Sequence, residues 1–247
     1  MLAVACGSDT GEPTTTTVAP TTTIAPSPTT TSAPMTTTTT APQPTTTAPG
    51  PTTTTLAGEP IDFGPADGDV LMVVGVRHDD VLNLRAGPGT GQPIVDEIPP
   101  TFSELQAQGN TRDLSPGFWI EVDYEGTTGW VNMRYVAYEG VVTDETSTVV
   151  AELGERPVEP TMIDLGELVA SVFASEADPE SAIVQVTPVS TGDLAEVTFD
   201  VVGIGDDSVL GSRLHVFAEK VAGGFSLRSV EVTTLCGRGV TDDGLCV

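Results

Sequence analysis

Positive charge is what this chain lacks most. Its 247 residues carry nine Lys and Arg against 35 Asp and Glu, a formal net charge of −26. A surface of that sign repels phosphate backbones, and no basic stripe offsets it, so nucleic acid is excluded as a partner. Histidine is almost missing: His78 and His215 are the two in the chain. A zinc centre needs three or four converging ligands, and only His78, in VRHDD beside Asp79 and Asp80, has carboxylates next to it. No metal site is expected. Long apolar runs are absent too, since nothing approaches the roughly 20 residues that span a bilayer. Cysteine occurs three times, as Cys6, Cys236 and Cys246.

What is present is unevenly distributed. Glu12 to Thr55 is almost all threonine, proline and alanine, with one acidic group and no basic one. Such a tract has too little apolar surface to offset the entropy of ordering, so residues 12–59 are expected as a disordered stalk. Its prolines bias it to polyproline II, and at about 3.1 Å per residue some 45 residues would reach about 140 Å. In an exported protein this composition also reads as an O-glycosylated spacer. The remaining residues are enough for two small cores.

The last two cysteines bracket CGRGVTDDGLC at the end of the chain. A tail of that kind frays unless tethered, and a Cys236–Cys246 disulfide would tether it; the alternative is a pair of buried thiols. A disulfide places the chain in an oxidising compartment. The third cysteine follows MLAVA and precedes Gly7-Ser8, which resembles the lipobox end of a bacterial lipoprotein signal. The resemblance covers about six residues, within a signal remnant at 1–11, and implies lipidation at Cys6 and a membrane anchor, although the charged n-region and most of the apolar h-region of a secretory signal are not in the sequence.

From Gly68 to Tyr138 short β-rich runs alternate with turns: DVLMVVGV, VLNLR, IVDEI, ELQAQ, FWIEVDY and GWVNM. Such spacing predicts a small barrel or sandwich. Within it, VLNLRAGPGTG (Val81–Gly91) allows two readings. A dinucleotide loop needs GxGxxG opening a helix, and a Walker loop needs Gly-Lys-Ser/Thr; here proline and a β run follow, and no lysine is present. A sharp turn between strands fits better, with Gly87 and Gly89 free to take positive φ around Pro88.

Leu82–Thr90 (LNLRAGPGT), then Trp119–Tyr124 (WIEVDY), Gly126–Val131 (GTTGWV) and Tyr135-Val136, resemble in order the motifs of bacterial SH3 (SH3b) domains. The insert GNTRDLSPGF before Trp119 is longer than the family pattern. The resemblance implies an SH3-like barrel over 60–140 and binding of peptidoglycan or another wall polymer in a shallow groove. Trp119 and Trp130 read first as core residues; Tyr124, Arg134 and Tyr135 are the better surface candidates, and all five are candidate ligand contacts.

Residues 141–160 read as a linker, and 161–247 as an α+β domain. Thr161–Ala177 places Met162, Leu165, Leu168, Val169, Val172 and Phe173 at helical spacing. Thr161 would cap the helix, with Asp164 in its first turn. Three or four strands follow, from AIVQVTPV, LAEVTFDVVGI, SVLGSRLHVFAEKV and FSLRSVEVTTL, with hairpin turns at Gly192-Asp193 and Gly223-Gly224. One helix on an antiparallel sheet is the expected arrangement. The fold class is therefore mainly β: an SH3-like barrel, a C-terminal α+β domain and a Thr/Pro-rich linker before both.

No catalytic constellation assembles. A Cys–His hydrolase needs a free thiol, and the three cysteines are assigned to lipid and disulfide. Asp206-Asp207 and Asp242-Asp243 lack the D-x-D-x-D-G register of a calcium loop. The expectation is a non-catalytic envelope lipoprotein without cofactor, exported and facing the wall. The alternative is that the C-terminal domain recognises another envelope protein or a solute, with the barrel as spacer.

Overall fold

The computed structural model describes residues 55–175, 181–192, 194–204 and 208–247. Cys6, the stalk up to residue 54, Asp193 and the Asp206-Asp207 pair lie outside the described residues. The chain from Thr53 to Val247 forms one compact unit that holds both the barrel and the C-terminal module.

The first half contains β1 (Glu59–Ile61), β2 (Asp67–Val73), β3 (Leu82–Arg85), β4 (Ile94–Ile98), β5 (Leu105–Leu114), β6 (Gly117–Tyr124) and β7 (Thr127–Asn132). A 3-10 turn, Met133–Tyr135, leads into β8 (Val136–Asp144). The second half follows with α1 (Thr146–Leu153), β9 (Val158–Glu159), α2 (Met162–Ser171), β10 (Ala182–Gln185), β11 (Ser190–Thr191), β12 (Ala195–Val202), β13 (Val209–Val221) and β14 (Gly224–Cys236). The strands join in one antiparallel order, β10-β12-β13-β14-β8-β2-β5-β6-β7-β3-β4, with β1 on β5, β11 on β12 and β9 on β14.

Alternation decides the barrel. Leu82 and Leu84 of β3, Ile120 and Val122 of β6, Val131 of β7 and Leu71 and Val73 of β2 turn inward to a common core with Ile98, Leu105 and Val136. Period-two side chains therefore leave Asn83, Arg85, Trp119, Glu121, Trp130 and Asn132 on the outer face. The insert GNTRDLSPGF is no loop. It folds as the outer arms of the β5–β6 hairpin, with Leu114 opposite Gly117 and β1 added along β5. In the Gly-rich turn Gly89 has φ +114° and Gly87 does not enter the positive region. One glycine suffices there: a side chain at Gly89 would also press on Leu114.

The C-terminal core lies between α2 and the inner face of β12, β13 and β14, where Met162, Leu165 and Val169 meet Phe199, Leu214, Val216 and Val230. Thr161 Oγ1 accepts from the Asp164 amide at 3.1 Å and donates to the Asp164 carboxylate at 2.7 Å, so the cap is reciprocal. Gly166 faces the Phe199 ring so closely that any Cβ would collide with it, which lets the helix settle onto the sheet. The helix ends at Ser171, earlier than its apolar spacing predicts, because the amides of Val172 and Phe173 bond to Val169 and Ala170 in a tightened last turn.

Residues 141–160, expected as a linker, are built into the sheet. Strand β8 pairs first with β2, Val136 opposite Val73, and then with β14 from Tyr138–Cys236 to Asp144–Glu231. Helix α1 follows at once; Thr146 Oγ1 accepts from the Val230 amide at 2.9 Å and Val149 is buried beneath it. Thr146 also donates its amide to Asp144 and holds that carboxyl below the usual carboxylate range.

A small apolar cluster seals the seam between the halves: Met72, Val74, Ala137 and Leu235, with Val202 and Leu210. Beside it sits the buried pair Asp200–Arg213. Arg213 Nε and Nη2 donate to the two Asp200 oxygens at 2.7 and 2.9 Å. Nη2 also reaches the Val73 carbonyl at 2.7 Å, and the Gly75 amide donates to Asp200 Oδ2 at 2.8 Å. Removing one member of a buried, hydrogen-bonded pair costs about 3–5 kcal/mol. Arg213→Met is expected to lower unfolding stability by about that amount in urea titrations; a loss under about 1 kcal/mol would mean the pair does not hold the seam.

Tyr138 is buried on β8 and donates to Asp69 at 2.7 Å. Burial, then the bond to Asp69, raises its phenol well above the ordinary value of 10.0. The folded state therefore keeps its proton where the unfolded chain loses it, so this contribution is full below pH about 10 and declines as pH rises above it. Tyr138→Phe is expected to cost about 1 kcal/mol at neutral pH and to flatten the stability decline between pH 10 and 11 relative to the parent, read from urea midpoints across that range.

Candidate functional site

The outer face of β3, β7 and β6 carries the site. Register sets it: Arg85 lies opposite Trp130, Trp119 opposite Asn132, and Glu121 opposite Trp130 on the far side. Asn132 ends β7 and accepts the Arg134 amide with its side chain at 3.1 Å, capping the 3-10 turn that presents Arg134 and Tyr135. The Tyr135 carbonyl accepts from the Val74 amide at 2.9 Å, which fixes that turn against the end of β2.

These residues line a groove of about 580 Å³. Trp119 and Asn132 lie along it, Arg134 and Tyr135 close one side, and Gly75–Arg77 with Asp80 stand opposite the turn at Gly89-Thr90. Leu114, Ser115 and Pro116, the tip of the β5–β6 hairpin, supply the remaining wall. The sequence insert therefore builds part of the groove.

Residues 80–137 match the family model of the bacterial SH3 domain. This barrel is a bacterial SH3 domain. No curated protein and no solved structure matches the chain. The match stops short of β2 on one side and of β14 on the other, so the C-terminal module of this chain stands outside it.

The five candidate contacts fall in three places. Trp119, Arg134 and Tyr135 line the groove of the SH3 domain. Trp119 is 5 % exposed, so little of its ring is open to the groove. Trp130, 3 % exposed, lies on the same outer face but is covered, and Tyr124 lies elsewhere, edge-on to Phe102 with centroids 4.8 Å apart. Burial raises the Tyr124 phenol, with Glu125 and Asp96 adding to the effect.

Two arginines lining the groove, Arg77 and Arg85, were not among the candidate contacts, and they join Arg134, which was. Arg77 is bound to Asp79 through two hydrogen bonds of 2.9 Å, and it holds that carboxyl below the usual range. Arg85 donates to the Gln92 carbonyl at 2.8 Å, and Arg134 lies 5.0 Å from the Tyr135 ring centroid. Neither enters an ion pair among the described residues. The readable signal was the alternation in LNLR, which turns Arg85 outward once Leu82 and Leu84 turn in.

Other candidates are dispersed. His78 is exposed on the turn after Arg77, and its amide donates to the Gln185 carbonyl at 2.9 Å. His215 stacks on Phe217 at 4.2 Å and approaches Glu196 at 3.5 Å. Among the described residues no three His, Cys, Asp or Glu side chains converge as a metal site, and no helix is long and apolar enough to cross a membrane.

Cys236 and Cys246 form a disulfide, Cα atoms 5.1 Å apart across a separation of ten residues. Cys236 is fully buried beside the SH3 core, and the loop it closes lies against β8, where the Val141 amide donates to Gly244 O at 2.8 Å. Gly140 has no room for a Cβ between Thr234, Cys236 and Gly244. Closing a loop of this length removes about 3 kcal/mol of unfolded-state entropy. Replacing both cysteines with serine is expected to lower stability by about 2–3 kcal/mol in non-reducing urea titrations, with dithiothreitol lowering the parent to a similar level and leaving the variant unchanged.

Proposed function

We propose that this chain is a non-catalytic protein of the cell envelope whose SH3 domain binds peptidoglycan or another wall polymer. The observation that carries the reading is the groove on the outer face of β3, β6 and β7. A shallow trough with an aromatic base, a flanking tyrosine and several hydrogen-bonding groups suits an extended peptide or glycan. A bacterial SH3 domain together with a disulfide suggests an extracellular or envelope setting.

In this reading lipid at Cys6 anchors the chain and the Thr/Pro tract holds the barrel away from the membrane. Tethering at one end raises the effective concentration of a weak contact at the other, so the groove needs no high intrinsic affinity. Catalysis has no part in it; the joining of Cys236 to Cys246 supports that, because it removes both thiols from nucleophilic use.

The test is co-sedimentation of the full chain with purified sacculi at moderate salt. The chain is expected to pellet. Thr90→Trp, a substitution at an exposed position on the groove rim, is expected to fill the trough and weaken pelleting by about tenfold with an unchanged melting temperature. Absence of pelleting by the unmodified chain overturns wall binding, and equal pelleting by the variant overturns the groove as its place.

A further inference from the structure

Nine basic residues serve a chain of net charge −26, and three of them, Arg77, Arg85 and Arg134, line the one groove described above. Asp80 is the one carboxylate in the lining. This concentration runs against the field of the whole molecule. From it we infer that the groove selects a peptide carrying a carboxylate, held by Arg85 and Arg134. The inference rests on the wall-binding reading of the same groove and names the chemistry it would recognise.

Arg77 contributes least, since Asp79 already occupies its guanidinium. Arg85 and Arg134 differ from it. Arg85 spends one nitrogen on a neutral carbonyl, and Arg134 is exposed over the Tyr135 ring, so both keep a full positive charge with donors to spare. A carboxylate matches the planar fork of a guanidinium, and the tyrosine face beside it screens the contact from water. A neutral glycan would leave both cations without an anionic partner.

The same charge count separates a carboxylate peptide from a phosphate polymer. A long polyanion would run past the groove onto the surface of a chain in which acids outnumber bases 35 to nine. At ordinary ionic strength repulsion acts over about 10 Å, so each further phosphate beyond the arginines meets unfavourable potential. A single carboxylate within otherwise neutral peptide feels the local arginines and little else. The site is built for one or two charges, not for a chain of them.

The experiment uses the full chain with three preparations of sacculi and two peptides. Sacculi with their carboxylates amidated by carbodiimide and ammonia are compared with untreated ones, and with sacculi stripped of phosphate polymers by hydrofluoric acid. In solution, N-acetyl-trialanine with a free C-terminal carboxylate is compared with its amide, following the arginine Nε–H signals by NMR. Amidation is expected to weaken pelleting by about tenfold or more, and phosphate stripping to leave it unchanged. Arg134→Gln should weaken binding to untreated sacculi by about tenfold and leave the residual binding to amidated sacculi unaltered, with Arg134→Lys restoring part of the loss. The acid peptide, and not the amide, should shift the Arg85 and Arg134 signals. Equal pelleting on untreated and amidated sacculi overturns carboxylate selection while leaving wall binding intact. Loss of pelleting on phosphate stripping assigns the arginines to a phosphate polymer and overturns it as well. No pelleting on any sacculus overturns the wall reading; the peptide pair then decides carboxylate selection by itself, and equal or absent arginine shifts overturn it.

Discussion

Asp200 and Arg213 are buried opposite each other on β12 and β13, and the stability of such a pair depends on filling every remaining donor and acceptor. Here the missing partners come from the other half of the molecule. Asp200 takes the Gly75 amide, and Arg213 gives a hydrogen to the Val73 carbonyl where β2 ends. Neither half satisfies the pair alone. Apolar residues of equal volume would bury as much surface, but they would leave the Gly75 amide and the Val73 carbonyl without these partners. The pair therefore fixes where the strand leaving the barrel lies against the C-terminal sheet, and the small cluster of Met72, Val74, Ala137 and Leu235 packs in that register.

Positive charge is scarce, and seven of the nine basic residues have an identifiable use. Arg213 holds the seam, Arg112 gathers the carbonyls of Leu56 and Gly58 behind β5, and Arg156 gathers those of Leu227 and Arg228 beside β14. Arg228 pairs with Glu219 and Arg77 with Asp79, both at the surface where such pairs contribute little. Arg85 and Arg134 are the ones whose charge opens onto the groove. In a molecule whose overall field attracts cations, that placement concentrates the opposite potential in one trough.

The fold was legible where local pattern and tertiary packing agree. LNLR and the IEVD of WIEVDY alternate apolar and polar, so the inward faces of those barrel strands followed from period two, and α2 followed from its 3.6 spacing and its Thr161 cap. Residues 141–160 were illegible because their order comes from partners far along the chain: β8 finds β14, α1 is held by the Val230 backbone, and β9 pairs with β14 near Phe225. GNTRDLSPGF read as an insert beyond the family pattern, and its place came only from tertiary pairing, with β1 and β6 supplying ladders on both sides. The site was legible in part. Trp119, Arg134 and Tyr135 meet in the groove, but Tyr124 faces Phe102, a contact between β6 and the turn after β4 that no short-range pattern encodes.

The seam bears on the groove as well as on the fold. One wall is the segment Gly75–Asp80, which leaves β2 without a ladder of its own. Two of its anchors lie in the second half, where the Gly75 amide bonds to Asp200 and the His78 amide to Gln185 on β10, while Val76 packs into the barrel core. The opposite wall at Leu114–Pro116 rests on the lengthened β5–β6 hairpin. A barrel cut after residue 140 would keep the turn bearing Arg134 and Tyr135 yet lose those two anchors of the Gly75–Asp80 wall. The groove's Gly75–Asp80 wall and the C-terminal sheet are thus one piece of architecture, and the complete groove belongs to the two halves together.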